Sequence, residues 1–303
     1  GQTEVYRFYG GPIDHEETGV EGYINSWPLD EAYIDYVEGK ADAGIVNHPE
    51  LYPEITPELL VGLNTVDGEE NISTGYHAIE FLLWGQDMSA EGPGDRPWQD
   101  YLEASSEGAP NGGRRGQYLL LLSDLLMEHL AVVIDAWEPG RSANYAAEFM
   151  GSDPEASLQK ILVGMGSLSG AELSGERLYT AYETRSQEDE HSCFSDNTLS
   201  DLYANAIALQ NVYLGRYGQL DGPGMNELIQ ILDPDLDTAL QAGIQASIDA
   251  IQAIPAPFDQ QLLKSDSDPG RQAILTAVES LEAQTDLTVG AASALDLTIN
   301  IGL

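Results

Sequence analysis

A chain of 303 residues, 42% of them hydrophobic, is long enough for two ordinary cores or one large one, and this composition excludes global disorder. Its 51 acidic residues face only 12 basic ones, a formal charge of -39. That balance excludes nucleic acid and an anionic membrane surface as partners, since both demand a positive face, and it favours cations near the surface.

Apolar residues recur at helical spacing almost throughout, and the strand signal is weak. Pro28–Gly39 reads as a short helix with Pro at its start and Gly past its end. Thr56-Pro57-Glu58 supplies a cap, a first-turn Pro and a first-turn acid for the next. The pattern predicts a helix from about Glu69 to Trp84, stopped by Gly85. A stronger one runs from about Gly113 to Trp137 and ends at Pro139-Gly140. Further helices are expected near Asp153–Leu168, Gly170–Ser186, Ser195–Tyr217, Asp233–Ile254, Pro269–Gln284 and Leu287–Ile301, with Pro255-Ala256-Pro257 as a break. The expected architecture is all-α: two helical bundles packed side by side, residues 1–145 and 146–303. Halves of similar length suggest a duplication, although no repeat is visible.

No transmembrane segment is expected, because the most apolar run, 118–134, carries Asp124, Glu128 and His129. No signal peptide is visible, and a start at Gly1 without Met points to a processed terminus with the signal peptide removed. The lone Cys193 allows no intrachain disulfide and reads as a small buried residue. No Gly-x-Ser-x-Gly elbow supports an esterase, and Gly10-Gly11 and Gly112-Gly113 lack a phosphate-loop context. His129 reads as a core histidine, while His15 and His48 carry no assignment.

The sharpest chemical feature is Gly75-Tyr76-His77-Ala78-Ile79-Glu80-Phe81-Leu82-Leu83-Trp84-Gly85. Residues three apart on a helix are neighbours, so His77 and Glu80 offer an imidazole nitrogen and a carboxylate oxygen as a two-point clamp for a transition metal. The plainer alternative is a self-satisfied His–Glu pair on a core helix, because this spacing arises often by accident. The motif is not His-Glu-x-x-His, and two ligands are too few for a site. Further donors must come from elsewhere, with Glu4, Asp30 and Glu31 as candidates. The segment Glu188–Thr198 gathers oxygen donors, His191 and Cys193; its plainer reading is a polar loop in which Ser195 or Asp196 caps the next helix.

The run from Gly75 to Gly85 resembles the Gly-x-His-x-x-Glu hallmark of the imelysin family. Thr3–Phe8, Asn25–Glu31, Gly175–Leu178 and Ser192–Thr198 are similar to other pieces of that family, in the same order. The resemblance implies two helical bundles with a functional site where they meet, export to the periplasm or cell surface, and a part in iron uptake. Residue by residue, it places His77 and Glu80 at the hallmark pair and Glu4, Arg7, Asp30 and Glu31 at neighbouring positions. Glu190, Ser195, Asp196 and Asn197 are implied as further lining. Family members carry additional helix before the Glu4 segment, so a separate N-terminal segment is expected to complete the first bundle. The leading expectation is a metal-binding protein that works with other components of an iron-uptake system. Iron is favoured as the metal and zinc is the alternative. A zinc peptidase is the rival, and a non-catalytic partner-binding scaffold is the third reading; enzymatic activity is therefore left open.

Overall fold

The computed structural model describes residues 7, 9–13, 15, 19–89, 91–103 and 108–301. The fold is all-α, with a single two-residue ribbon, β1 (Arg216–Tyr217) and β2 (Leu220–Asp221), among the described residues. Two compact units emerge, and they interleave along the chain. One comprises His15–Glu138 with His191–Asp196; the other comprises Gly1–Asp14, Pro139–Glu190 and Asn197–Leu303.

The His15–Glu138 unit carries α1 (Glu31–Ile34), α2 (Gly44–Asn47), α3 (Pro57–Leu63), α4 (Gly75–Trp84) and α5 (Gly112–Trp137). Thr56 caps α3 as the sequence suggests, accepting from the Leu59 N–H at 3.2 Å. The expected helix Pro28–Gly39 is corrected to the single turn Glu31–Ile34, opened by Asp30, which accepts from the Ala32 N–H at 2.9 Å and fixes the start three residues later. α4 and α5 bury Ala78, Phe81, Leu82, Tyr118 and Leu122 in one core, which Cys193 and Phe194 join from the distant 191–196 segment. The expected start of α4 near Glu69 is corrected to Gly75. The Asn64 side-chain oxygen accepts from the N–H groups of Ser73 (2.9 Å) and Thr74 (3.3 Å), holding Thr74 extended, so the helix cannot begin earlier. Gly75 then turns at φ +91°, where an added Cβ would lie 2.7 Å from the Ile24 carbonyl oxygen.

Beneath α4 and α5 lies a buried ion network. Arg115 grips Asp35 through Nε (2.5 Å) and Nη2 (2.9 Å), and Arg96 reaches the same carboxylate at 2.8 Å. Asp100 accepts from Tyr36 and lies 3.8 Å from Arg96, so two buried guanidiniums balance two buried carboxylates.

The other unit carries α6 (Tyr145–Gly151), α7 (Pro154–Ser167), α8 (Thr180–Thr184), α9 (Thr198–Leu214), α10 (Met225–Leu232), α11 (Pro234–Gln252), α12 (Phe258–Leu262) and α13 (Pro269–Ala294). Its core includes Leu162, Leu173, Leu209, Ile244, Phe258 and Leu281. Two expected breaks are absent. The rod from α7 continues through a π-helical stretch, Leu168–Tyr179, directly into α8. α13 runs through 284–287 without interruption, because the buried hydroxyls of Thr285 and Thr288 donate to the Leu281 and Gln284 carbonyls of their own helix. Among the described residues no helix is long and apolar enough to cross a membrane.

Candidate functional site

The first two turns of α4 are buried on the face that carries His77 and Glu80. His77 is 3% exposed, and its Nδ1 lies 2.9 Å from Glu80 Oε2. The other carboxylate oxygen, Oε1, accepts from Ser195 twice: from the backbone N–H at 3.0 Å and from the hydroxyl at 2.6 Å. These three bonds make Glu80 an acceptor throughout, which assigns the proton on the His77 ring to Nδ1. In the neutral ring Nε2 then keeps its lone pair. That atom is buried and has no hydrogen-bond partner among the described residues. Leaving a buried acceptor unmet costs about 1–3 kcal/mol, so Nε2 is the atom of the pair that calls for a ligand.

The geometry changes the expected role of Glu80. It turns both oxygens to His77 and Ser195 instead of converging with the imidazole on a shared point. Among the described residues no third His, Cys, Asp or Glu brings a ligand atom within 4.8 Å of donors from both. The His191 ring stands edge-on to His77, with centroids 4.7 Å apart and planes at 87°, and Trp27 lies 5.7 Å beyond His191. His191 is the residue that sequence reasoning passed over. Its signal was its place in Ser192–Thr198's flank, where it counted only as one donor among many.

Asp30 caps α1 with its Oδ1, and Glu31, half-buried, occupies the first turn of that helix. Glu4 lies outside the described residues. Ser195 does not cap the following helix; Asn197 stands at that position without a side-chain cap bond, and its amide reaches Asp201 at 3.1 Å. Asp196 takes a left-handed conformation at φ +56°, which turns the chain between Ser195 and α9.

Arg7 and Glu190 belong to the other unit. Arg7 donates to Glu172 Oε1 at 2.9 Å, and Arg177 approaches Glu172 Oε2 at 3.4 Å. The π-helical winding explains the second contact: residues five apart share a face there, so Glu172 and Arg177 meet one turn on. Two guanidiniums thus meet on one buried carboxylate. Glu190 is fully buried after the short turn Gln187–Asp189.

The family profile described as imelysin matches residues 1–288. The chain is 25% identical over 295 residues to iron-regulated protein A of Synechococcus elongatus, covering 94% of this chain and 68% of that one. Its fold is similar to the crystal structure of a candidate iron-regulated protein A precursor from Parabacteroides distasonis. The TM-score is 0.69 and the identity 21%, over 97% of this chain and 78% of that one, a likeness that speaks to fold alone.

Proposed function

The chain belongs to the imelysin family, and on that premise we propose that it is an exported metal-binding protein of iron acquisition. The observation that carries this reading is the buried Nε2 of His77, which has no hydrogen-bond partner among the described residues, with its Nδ1 held by Glu80. A carboxylate behind a metal-ligating imidazole fixes the tautomer, aims the ring and raises its basicity. In this reading His77 is the ligand, Glu80 orients it, and Ser195 holds Glu80 in place. The oxygen donors that complete the shell are sought among Glu4, Asp30 and Glu31. A mostly oxygen donor set with one imidazole suits iron, with zinc as the competitor. The name of the cyanobacterial relative supports an iron-related role, and the description of the Parabacteroides protein as a precursor supports export to the periplasm or cell surface.

The zinc-peptidase alternative needs an activated water and a general base beside the metal. Glu80 is poorly placed to be that base, since hydrogen bonds already occupy both of its oxygens. The test is metal binding by the purified chain, titrated with ferrous iron under anaerobic conditions, with ferric citrate and with zinc. One equivalent of tightly bound metal that is lost in His77→Ala supports the proposal. Equal metal content in wild type and His77→Ala sinks it and leaves the scaffold reading.

A further inference from the structure

The C-terminal end of α4 opens onto a cavity that the metal reading leaves unused. It measures about 440 Å³, room for a small ligand or a few side chains. Trp84, Met88, Pro93 and Pro97 supply apolar wall, and Glu38 and Asp95 belong to the same lining. Backbone groups fix these walls. The Gln86 side-chain oxygen accepts from the Glu38 N–H at 2.7 Å, the Gly94 N–H donates to the Phe194 carbonyl at 2.9 Å, and the Arg96 N–H donates to the Trp84 carbonyl at 2.8 Å. A cavity held open in this way costs little to organise when something enters it.

Large apolar side chains stand open here. Met88 is 65% exposed and Trp84 36%, and Trp98, one position beyond the wall residue Pro97, is 68% exposed. Methionine and tryptophan left uncovered along one segment mark a contact surface. The charge beside them is negative. Arg96 is the one base among the described lining residues, and the buried Asp35 and Asp100 already neutralise it. Glu38 and Asp95 are exposed, and no described residue engages their carboxylates. Carboxylates and an indole in one lining both attract a cation. A second copy of this chain, at a charge of -39, would meet repulsion here, and so would an anionic lipid surface. A basic polypeptide segment with apolar neighbours matches the charge and the apolar wall together.

We propose that this cavity docks a basic, apolar-flanked segment of a partner polypeptide, with an arginine or lysine side chain facing Glu38 and Asp95 and its apolar neighbours covering Trp84 and Met88. The surface stands apart from the His77 reading and shares no residue with it. The probe is a short capped peptide alternating leucine and arginine, titrated calorimetrically into the full chain in about 0.5 M sodium chloride, where diffuse attraction to surface acids is screened. The expected result is one saturable site. Two control peptides, with glutamate in place of arginine or glycine in place of leucine, bind about tenfold more weakly or worse. Met88→Ala and Trp84→Ala each weaken the leucine–arginine peptide by about fivefold or more. Glu38→Gln combined with Asp95→Asn weakens it as well and flattens its salt dependence. A wild-type chain without a saturable site overturns the inference. So does a site that binds the glycine control equally well, or that all these variants leave unchanged, since binding then belongs to the surface acids at large. A dimer in sedimentation that Met88→Ala dissolves would hand the surface to a second copy and overturn it too. Should Trp84→Ala fail to fold, Met88→Ala, whose side chain is exposed, still decides.

Discussion

Ser195 holds one oxygen of Glu80 with two donors, its N–H at 3.0 Å and its hydroxyl at 2.6 Å, and so turns the other oxygen toward His77. Removing the hydroxyl leaves the backbone bond in place and loosens the carboxylate without unmooring it. Ser195→Ala is therefore expected to weaken metal binding at His77 several-fold, and Glu80→Gln by about 10–100-fold, the range for lost support behind a ligating histidine. Titration with zinc or cobalt reads both. If Ser195→Ala and Glu80→Gln bind as wild type while His77→Ala does not, the orienting role assigned to Glu80 is wrong.

Gly75 opens α4 at φ +91°, and an added Cβ would meet the Ile24 carbonyl at 2.7 Å. That carbonyl also accepts from the Tyr76 N–H at 2.8 Å, so it cannot withdraw without breaking the helix entry. Gly75→Ala combines an unfavourable backbone conformation with a steric clash, and a loss of about 1–3 kcal/mol is expected. Thermal and urea unfolding measure it. An unchanged midpoint would show that the helix entry relaxes freely.

These two cases show what can be read along the chain. The adjacency of His77 and Glu80 follows from spacing, because three residues make nearly one helical turn. The role of Glu80 does not, since Ser195 arrives from 115 positions away and His191 with it. Distant partners leave no local periodicity to detect. The start of α4 was hidden for the same reason: Asn64 pins Ser73 and Thr74 through a side chain, while propensity alone lets the helix begin near Glu69. The π-helical stretch Leu168–Tyr179 mixes helix formers with Gly170 and Gly175, which read as breaks, and nothing in that pattern announces a continuous helix of wider winding. Cap residues were the legible extreme. Thr56, Asp153 and Asp233 each act within three positions of themselves, where sequence and structure carry the same information.

Tyr36 gives a pH prediction with a definite sign. Burial and its hydrogen bond to Asp100 push the phenol up to about 12, against an ordinary value of 10.0. The folded state holds that proton more tightly than the unfolded chain, so the contribution is complete below pH 10 and is lost as pH rises from about 10 to about 12. Tyr36→Phe removes this component, and its stability should fall less steeply across that window than wild type. Urea midpoints at pH 9, 10 and 11 make the comparison. Parallel curves for the two proteins would mean that Tyr36 titrates as an ordinary phenol.

Arg115 separates the fold from the metal chemistry. Its guanidinium is fully buried, holds Asp35 through two bonds, and donates to the Asp100 carbonyl at 2.6 Å. Arg115→Ala leaves Asp35 with Arg96 as its remaining cation and strips that carbonyl of a donor. Breaking one side of a buried ion pair costs about 3–5 kcal/mol, much of it the penalty of the charge left behind. Arg115→Met with Asp35→Asn removes both charges while filling similar volume, and it should recover a substantial part of that loss. A double-mutant cycle on urea stability measures the coupling. Strictly additive losses would show that packing of the long side chain, not charge balance, is what Arg115 contributes. Because neither residue touches His77, variants that stay folded should keep wild-type metal affinity, and a parallel loss of binding would tie the ion network to the site itself.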